Sequence, residues 1–159
     1  MFFLDRCFVK HSINLKNGKQ LVVINTHNSA YDGGKLKKQE MAYFKKYITD
    51  EYAKGNYVVV GGDWNQIPPG YTPLSANSDY EEMPVPPGFA EPGWIFAFDG
   101  KTPTNRKVDV PYQANKTYTT VIDFFLLSPN IELLEVKGMP NGFEYSDHQP
   151  VRMMIKLKE

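Results

Sequence analysis

The sequence has one cysteine, no net charge and no long apolar run, and each of these excludes a special class of protein. Its single cysteine, Cys7, excludes an intrachain disulfide and any cysteine-rich zinc site. Its formal net charge is zero, with 18 basic and 18 acidic residues, so no global field draws it to nucleic acid or to an anionic membrane. No apolar run is long enough to span a bilayer, and residues 1–4 are too short and too soon charged for a secretion signal. These absences leave a globular protein whose localisation the sequence does not specify.

What the chain does contain suits one well-packed domain. It has 159 residues, of which 42% are hydrophobic and 14% are aromatic. This size permits a real core, and the aromatic content argues against disorder. We predict a single domain over residues 1–159. Seven prolines between residues 67 and 93 exclude a regular helix or central strand over most of that stretch, which predicts a long irregular loop.

Apolar periodicity predicts a mixed α/β fold. The Asn17-Gly18 pair between two strand-like runs, at residues 7–15 and 21–24, predicts a hairpin. After a chain break at residues 32–34, apolar residues at three-to-four spacing predict a helix over about residues 35–54, and its lysines, Lys37 among them, are predicted to lie on a solvated face. Further strands are predicted at residues 57–60, 94–98, 118–127, 131–136 and 151–157.

The rest of the chain is organised around the run Tyr57-Val58-Val59-Val60-Gly61-Gly62-Asp63-Trp64-Asn65. It predicts a buried strand that ends in two glycines, which allow a bend or a close approach. If the backbone stays extended, Asp63 and Asn65 share one face and Trp64 points into the core. A carboxylate and a carboxamide at a strand end can hold a water, a metal or a phosphate oxygen, and they can equally end a strand in an ordinary turn.

Three other predicted strand ends carry polar residues. His27 follows an apolar run and could be a turn histidine. Asp123 lies inside an apolar run, where a carboxylate must be hydrogen-bonded, ion-paired or metal-bound, and a structural arginine partner would satisfy it equally. Asp147 and His148 precede the last strand.

Together, the polar residues at the four strand ends could assemble a site for attack on a phosphoester. Such attack needs an oriented water, a base, an acid for the leaving oxygen and positive charge for the phosphoryl oxygens. Carboxylates with few cysteines and histidines suit Mg²⁺ or Mn²⁺ better than zinc.

Four motifs in this order resemble the endonuclease/exonuclease/phosphatase superfamily of deoxyribonuclease-like proteins. They are Asn25-Thr26-His27, Gly62-Asp63-Trp64-Asn65, Ile122-Asp123 and Ser146-Asp147-His148. Gln39 and Thr104-Asn105-Arg106 are also similar to positions in family members. The resemblance covers nearly the whole chain and matches the C-terminal half of that domain. It implies an α/β fold, with a mixed β-sheet and flanking helices that make about half of a four-layer sandwich.

The resemblance further implies hydrolysis of a phosphodiester or phosphomonoester by an activated water, with Mg²⁺ or Mn²⁺ as cofactor. His148 would be the general base or a phosphate contact, and Asp123 would fix its tautomer. Asp63 and Asn65 would position the nucleophile and the phosphate, and either Asp63 or His148 would take the proton. His27 would stabilise phosphoryl oxygens or protonate the leaving group. The implied metal ligands are Asp147, Asp63 and Asn65, and Asp147 could instead be a carboxylate that supports a ligand.

One departure from the family limits these implications. The family's domain is about twice as long, and its first half supplies an Asn and a metal-binding Glu that this sequence does not show. The alternative function is therefore a catalytically incomplete fragment, or a binding module that keeps the scaffold. A truncated sandwich would expose an apolar sheet face, which we expect a second copy or an N-terminal fragment to cover. The substrate stays open among nucleic acid, phosphoinositide, lipid and sugar phosphate.

Overall fold

A computed structural model describes residues 7–30, 35–73, 83–86 and 88–159. Residues 1–4, the predicted break at 32–34, and residues 74–82 and 87 of the predicted loop therefore lie outside the described residues. The described parts of the 67–93 loop contain no helix and no named strand. The elements, in chain order, are β1 (Cys7–Asn14), β2 (Gln20–His27), α1 (Lys35–Ala53), β3 (Tyr57–Asp63), β4 (Ile95–Ala97), β5 (Asn105–Arg106), β6 (Thr119–Thr120), β7 (Asp123–Leu127), β8 (Ile131–Gly138) and β9 (Val151–Leu157).

The main sheet has five strands in the order β1-β2-β3-β7-β4. Strands β1 and β2 form the predicted antiparallel hairpin, and Gly18 in its turn has a φ of 79°. Strands β2 and β3 are parallel, and α1 makes the crossover between them. Strand β7 pairs antiparallel with both β3 and β4. This order places the C-terminal ends of β2 and β3 beside the first residue of β7, and it confirms the predicted mixed α/β class.

One face of the main sheet packs on α1, and we call it the helix face. Its core consists of almost fully buried side chains from α1, β2, β3, β7 and the loops: Val22, Ile24, Met41, Phe44, Ile48, Val58, Val60, Trp64, Val85, Phe89, Phe124 and Leu126. The apolar stripe predicted for the helix is therefore confirmed. The prediction for Lys37 is wrong, because only 7% of this residue is exposed. No helix among the described residues is long and apolar enough to cross a membrane.

The opposite face is covered over part of its width by a two-stranded antiparallel ribbon, β8–β9. Apolar side chains of the ribbon pack with Tyr57 and Val59 of β3 and with Leu127 of β7. This cover reaches Leu21 at the start of β2 but leaves Val9, Ile13 and Val23 of the hairpin 67%, 43% and 36% exposed. Among the described residues, these three exposed side chains on β1 and β2 are what we call the open strip, and the expected exposed apolar face is smaller than a full sheet face.

The strand predicted over residues 118–127 is two elements. Strand β6 pairs with β5, whereas β7 joins the main sheet. Between them, Val121 and Ile122 pack into a small separate core. Because of this break, Asp123 is the first residue of a strand at the edge of the cleft described below, and it is not in the middle of an apolar strand.

Candidate functional site

Three of the predicted site residues lie side by side in one row across the main sheet. His27 at the end of β2 is the register partner of Asp63 at the end of β3, and Asp63 is the partner of Asp123 at the start of β7. Adjacent strands are about 4.8 Å apart, so side chains in one row are within reach of each other. The Nε2 atom of His27 lies 3.3 Å from Oδ2 of Asp63.

The two glycines before Asp63 allow the strands to form this row. A Cβ atom at Gly62 would lie 2.0 Å from the carbonyl oxygen of Thr26, and the φ of Gly62 is 140°. A Cβ atom at Gly61 would lie 2.7 Å from the ring of Phe125. Only glycine permits approaches this close. The sequence left open a bend or a close approach for these glycines, and the structure shows the close approach.

Asn65 reaches Asp63 by a different route from the predicted one. Its φ of 47° is left-handed, so the backbone is not extended beyond Asp63. The turn nevertheless brings its Nδ2 to 3.3 Å from Oδ2 of Asp63 and to 2.8 Å from the carbonyl oxygen of Asn28. The Asn65 main-chain N–H donates to Oδ1 of Asp63 at 2.8 Å. Trp64, between the two, is fully buried as predicted.

His148 joins the row from the loop between β8 and β9. Its Nδ1 lies 2.8 Å from Oδ2 of Asp123, and its Nε2 lies 3.9 Å from Oδ2 of Asp63. Because an ionised carboxylate only accepts hydrogen bonds, Nδ1 carries the proton, and Nε2 is an acceptor when the ring is neutral. The hydrogen bond to Asp123 raises the pKa of His148 above its ordinary value, and burial partly opposes that rise.

Asp63 sits in an environment that is unfavourable for a carboxylate. Burial raises its pKa above the ordinary value, and the negative charge of Asp123 raises that pKa further. The N–H of Asn65 and the two histidines act in the opposite direction. Only 16% of the Asp63 side chain is exposed. The cluster therefore combines two neighbouring carboxylates with two imidazoles, and added positive charge would stabilise it.

The cluster opens into a cleft of about 550 Å³. A cleft of this volume can admit a phosphoryl group and part of the alcohol attached to it. Its walls carry two cationic residues as well as all of the predicted site residues except Asp123, which contacts His148 without lining the cleft. The polar lining is His27, Asp63, Asn65, Asn105, Arg106, Lys107, Asp109, Tyr118, Asp147 and His148.

Thr104 is a supporting residue that sequence reasoning did not assign to the site. Its Oγ1 accepts hydrogen bonds from the main-chain N–H groups of Ile122 and Asp123, at 3.1 and 3.0 Å. The main-chain N–H of Gln149 donates to the Thr104 carbonyl at 2.7 Å. Thr104 thus connects the start of β7 to the loop that carries His148. The sequence marked Thr104 only through the likeness of Thr104-Asn105-Arg106 to positions in family members, and that likeness implied no role for the hydroxyl.

Asn105 is a second such residue, and it touches the imidazole directly. Its Nδ2 lies 2.9 Å from Nε2 of His148 and 3.3 Å from the carbonyl oxygen of Asp147. The sequence pointed to Asn105 only through the likeness of Thr104-Asn105-Arg106 to positions in family members, and that likeness implied no role for its side chain. Gln39, the other similar position, is exposed on α1.

The predicted metal ligands do not form a complete site. Within the described part of the chain, no group of three or more His, Cys, Asp or Glu side chains is arranged to hold a metal ion. Asp63 and Asn65 contact each other, whereas Asp147 is half-buried in the cleft wall, where its carbonyl accepts from the Arg106 N–H at 3.0 Å. Magnesium demands near-ideal octahedral oxygen coordination. These residues alone therefore do not fit that ion.

Comparison with known proteins finds likeness in structure but not in sequence. No family profile matches the chain, and no curated protein sequence matches it. The APE2 catalytic domain of Xenopus laevis matches with a TM-score of 0.65 at 18% identity, over 96% of this chain and 55% of its own. TDP2 from D. rerio, complexed with single-strand DNA product, matches with a TM-score of 0.62 at 13% identity, over 95% of this chain and 62% of its own.

A third solved structure carries the name of the superfamily. The endonuclease/exonuclease/phosphatase from Beutenbergia cavernae matches with a TM-score of 0.60 at 16% identity, over 98% of this chain and 40% of its own. The chain thus spans about half the length of the solved structures that it matches. These matches concern the fold, and they extend over nearly all of the present chain. The chain has the fold of part of an endonuclease/exonuclease/phosphatase structure, which confirms the resemblance predicted from its four motifs.

Proposed function

We propose that this chain hydrolyses a phosphodiester or a phosphomonoester by means of an activated water. The observation that carries the proposal is the contact series Asp123–His148–Asp63, with distances of 2.8 and 3.9 Å at the edge of one cleft. An imidazole that is oriented by one carboxylate and lies beside a second is a common arrangement for a general base. The fold supports the same class of reaction, because it is shared with an endonuclease/exonuclease/phosphatase and with a protein bound to a DNA product.

In the proposed reaction, His148 removes a proton from the attacking water. The 3.9 Å gap between its Nε2 and Oδ2 of Asp63 allows one water to bond both atoms. The water oxygen forms the new bond to phosphorus, its proton passes to Nε2, and Asp123 stabilises the resulting imidazolium. The bond from phosphorus to the ester oxygen breaks, and His27 protonates the departing oxygen or stabilises the phosphoryl oxygens.

One contact bears directly on the choice of base. In this structure Nε2 of His148 accepts from Asn105, so the attacking water has to displace that contact. Asp63 is the alternative base, and burial, together with the charge of Asp123, raises its pKa and makes the carboxylate more basic. The pH–rate profiles of Asp63→Asn and His148→Ala separate the two assignments. The rate falls at low pH because the base becomes protonated. Only the variant that lacks the base should lose this fall in its pH–rate profile.

The direct test is turnover of bis(p-nitrophenyl) phosphate, measured with and without Mg²⁺ or Mn²⁺. We expect His148→Ala to lower the rate by about 10²–10⁴-fold, the usual contribution of a general base. Lys46→Ala, at an exposed position on α1, is the control and should leave the rate unchanged. If the wild-type chain shows no turnover with any divalent ion, the proposal is wrong for this chain alone.

Metal dependence is a separate proposal. Asp63, Asn65 and Asp147 would provide some ligands for Mg²⁺ or Mn²⁺, and the remaining ligands would come from groups outside the described residues. Because the described set is incomplete, no step above is assigned to an ion. We expect the rate to rise with added Mg²⁺ and to fall when the ion is chelated.

A second candidate is a phosphate-binding module that keeps the scaffold without turnover. The incomplete ligand set among the described residues favours it. Such a module would bind inorganic phosphate in the cleft and show no hydrolysis. A phosphate titration followed by NMR, run beside the rate assay, distinguishes it from the hydrolase.

We also propose that further polypeptide covers the open strip, either from a second copy or from an N-terminal fragment. The exposure of Val9, Ile13 and Val23 supports this proposal, as does the extra chain present in the matched structures. Light scattering together with intact mass tests it. A dimer supports the second copy, whereas a well-behaved monomer counts against it.

A further inference from the structure

Lys37 is a buried lysine beside the site, at the third position of α1 (Lys35–Ala53). It is 7% exposed, and its Nζ donates to the main-chain carbonyl of Asn65 at 3.0 Å. Lys38 and Lys46 on the same helix are exposed, as the sequence predicted. Lysine is almost never buried unless its charge has partners, because desolvating an ammonium group is costly. A methionine could occupy similar space without that cost, which suggests a role for the charge.

The group that Lys37 holds is in an uncommon conformation. Asn65 has a φ of 47°, in the left-handed region that L-residues other than glycine adopt infrequently. Its carboxamide bonds the carbonyl of Asn28 at 2.8 Å and approaches Asp63 at 3.3 Å. Lys37 thus fixes the main chain of Asn65 while Asn28 and Asp63 fix its side chain.

The conformation of Asn65 also determines the position of the Asp63 carboxylate in the cleft. Asp63 accepts from the Asn65 N–H at Oδ1 and contacts the Asn65 carboxamide at Oδ2, so both of its oxygens are placed by Asn65. If Asn65 leaves its turn, both contacts change together. A misplacement of about 1 Å in a reacting group can lower a rate by about 10²-fold.

We infer that Lys37 is a positioning residue that holds Asn65 in its left-handed turn and so sets the orientation of Asp63. This role rests on the proposed function, since it gives Lys37 a purpose only if Asp63 orients a water or a phosphate. Lys37 acts through Asn65 and does not need to touch the substrate.

The first experiment is independent of activity. The ¹H–¹⁵N NMR signals of the Asn65 main-chain and carboxamide groups are compared in the wild type, Lys37→Met, Lys37→Arg and the exposed control Lys38→Met. We expect both Asn65 signals to move in Lys37→Met and to return towards wild-type positions in Lys37→Arg, with no movement in Lys38→Met. Unchanged Asn65 signals in Lys37→Met, or equal movement in Lys38→Met, overturn the inference. If Lys37→Met does not fold, Lys37→Gln, which keeps a neutral donor, takes its place.

The second experiment measures hydrolysis of bis(p-nitrophenyl) phosphate in a double-mutant cycle. We expect Lys37→Met to lower kcat by about 10–100-fold, with KM changed less than about twofold, and Lys37→Arg to recover most of the rate. In an Asn65→Ala background, Lys37→Met should have a smaller effect than in the wild type, because the carboxamide contact to Oδ2 of Asp63 is gone and only the main-chain contact to Oδ1 remains. Additive losses, or full activity in Lys37→Met, overturn the positioning role. A wild-type chain without turnover refutes the proposed function, and the NMR comparison still decides the role of Lys37.

Discussion

The two faces of the main sheet are covered by other elements to different degrees. On the helix face, the strand residues Val22, Ile24 and Val60 are at most 1% exposed, so α1 and the loops close that side. On the other face, the β8–β9 ribbon covers the middle of the sheet, and the open strip on β1 and β2 stays exposed. The polar row formed by His27, Asp63 and Asp123 lies at the end of the less covered face.

This difference separates the residues that stabilise the fold from those that form the cleft. Trp64 points to the helix face, and its neighbour Asp63 points to the other face. A side chain in the closed core contributes through buried apolar area. A side chain in the row contributes through charge and hydrogen bonds in a cleft open to water. We therefore expect substitutions on the two faces to change different measurements.

The largest effect on stability is expected on the helix face. Trp64 is fully buried, its ring stacks on Phe124 at 4.9 Å between centroids, and its Nε1–H donates to the Phe124 carbonyl at 3.1 Å. Trp64→Ala should lower the free energy of unfolding by about 3–5 kcal/mol, measured by urea denaturation. Val9→Thr in the open strip is the control. A loss below about 1 kcal/mol in Trp64→Ala would show that the helix face is not the stabilising side.

The second-largest loss of stability is expected at Gly62, which lies against the main chain of β2. A Cβ atom there would meet the main chain of Thr26, which cannot move without displacing β2. Gly62→Ala should destabilise the chain by about 3 kcal/mol through this clash and the backbone strain. Gly70→Ala is a matched control, because Gly70 also has a positive φ, of 78°, but a Cβ there has no atom within 4 Å. Equal losses in the two variants would mean that strain alone, and not the close approach, explains the result.

A change in activity with little loss of stability is expected in the row. Asp123→Asn removes the carboxylate whose hydrogen bond raises the pKa of His148. With that pKa lowered, the imidazole stays neutral to lower pH, so the acidic limb of the pH–rate profile should move to lower pH. We expect the plateau rate to fall by about 10²-fold, or about 2.7 kcal/mol, because the ring loses its orientation. An acidic limb that does not move would argue that His148 is not the titrating base.

The smallest effect on stability is expected in the open strip. Val9→Lys and Val23→Lys place charges on side chains that are already 67% and 36% exposed. Each should change the free energy of unfolding by less than about 0.5 kcal/mol. If a second copy covers the strip, the double variant should instead abolish self-association in light scattering. A large loss of stability in the isolated monomer would show that the strip is covered by the chain's own residues.

Much of the fold follows from local patterns in the sequence. The Asn17-Gly18 hairpin, the apolar stripe of α1 and the run at residues 57–60 are each determined within a few residues of chain, and each is present. The close approach at Gly61 and Gly62 is one of the two roles, a bend or a close approach, that the sequence left open for these glycines. The polar residues at the four strand ends do come together: His27, Asp63, Asp147 and His148 line one cleft, and Asp123 contacts His148 at 2.8 Å. Their chemical roles stay predictions.

The failures are at places where tertiary contacts override local pattern. Lys37 has the same sequence signature as the solvated Lys38, but Lys37 is buried and donates to the Asn65 carbonyl, a contact across 28 positions of chain. The apolar stretch at residues 118–127 reads as one strand, but its two ends join different sheets. The contact between Asn105 and His148 joins residues 43 positions apart, a separation that no local periodicity reports.

The pairing of β3 with β7 also determines when the cleft can form. Asp63 and Asp123 are adjacent in the sheet although 60 positions separate them, whereas β1, β2, α1 and β3 are consecutive in the chain. Pairings between distant segments carry a larger loop-closure entropy and form late in folding. We therefore expect the hairpin–helix–strand unit to gain hydrogen-exchange protection early and the imidazole–carboxylate cluster to assemble last. Mild denaturation would then disrupt the cleft while the unit formed by β1, β2, α1 and β3 stayed folded.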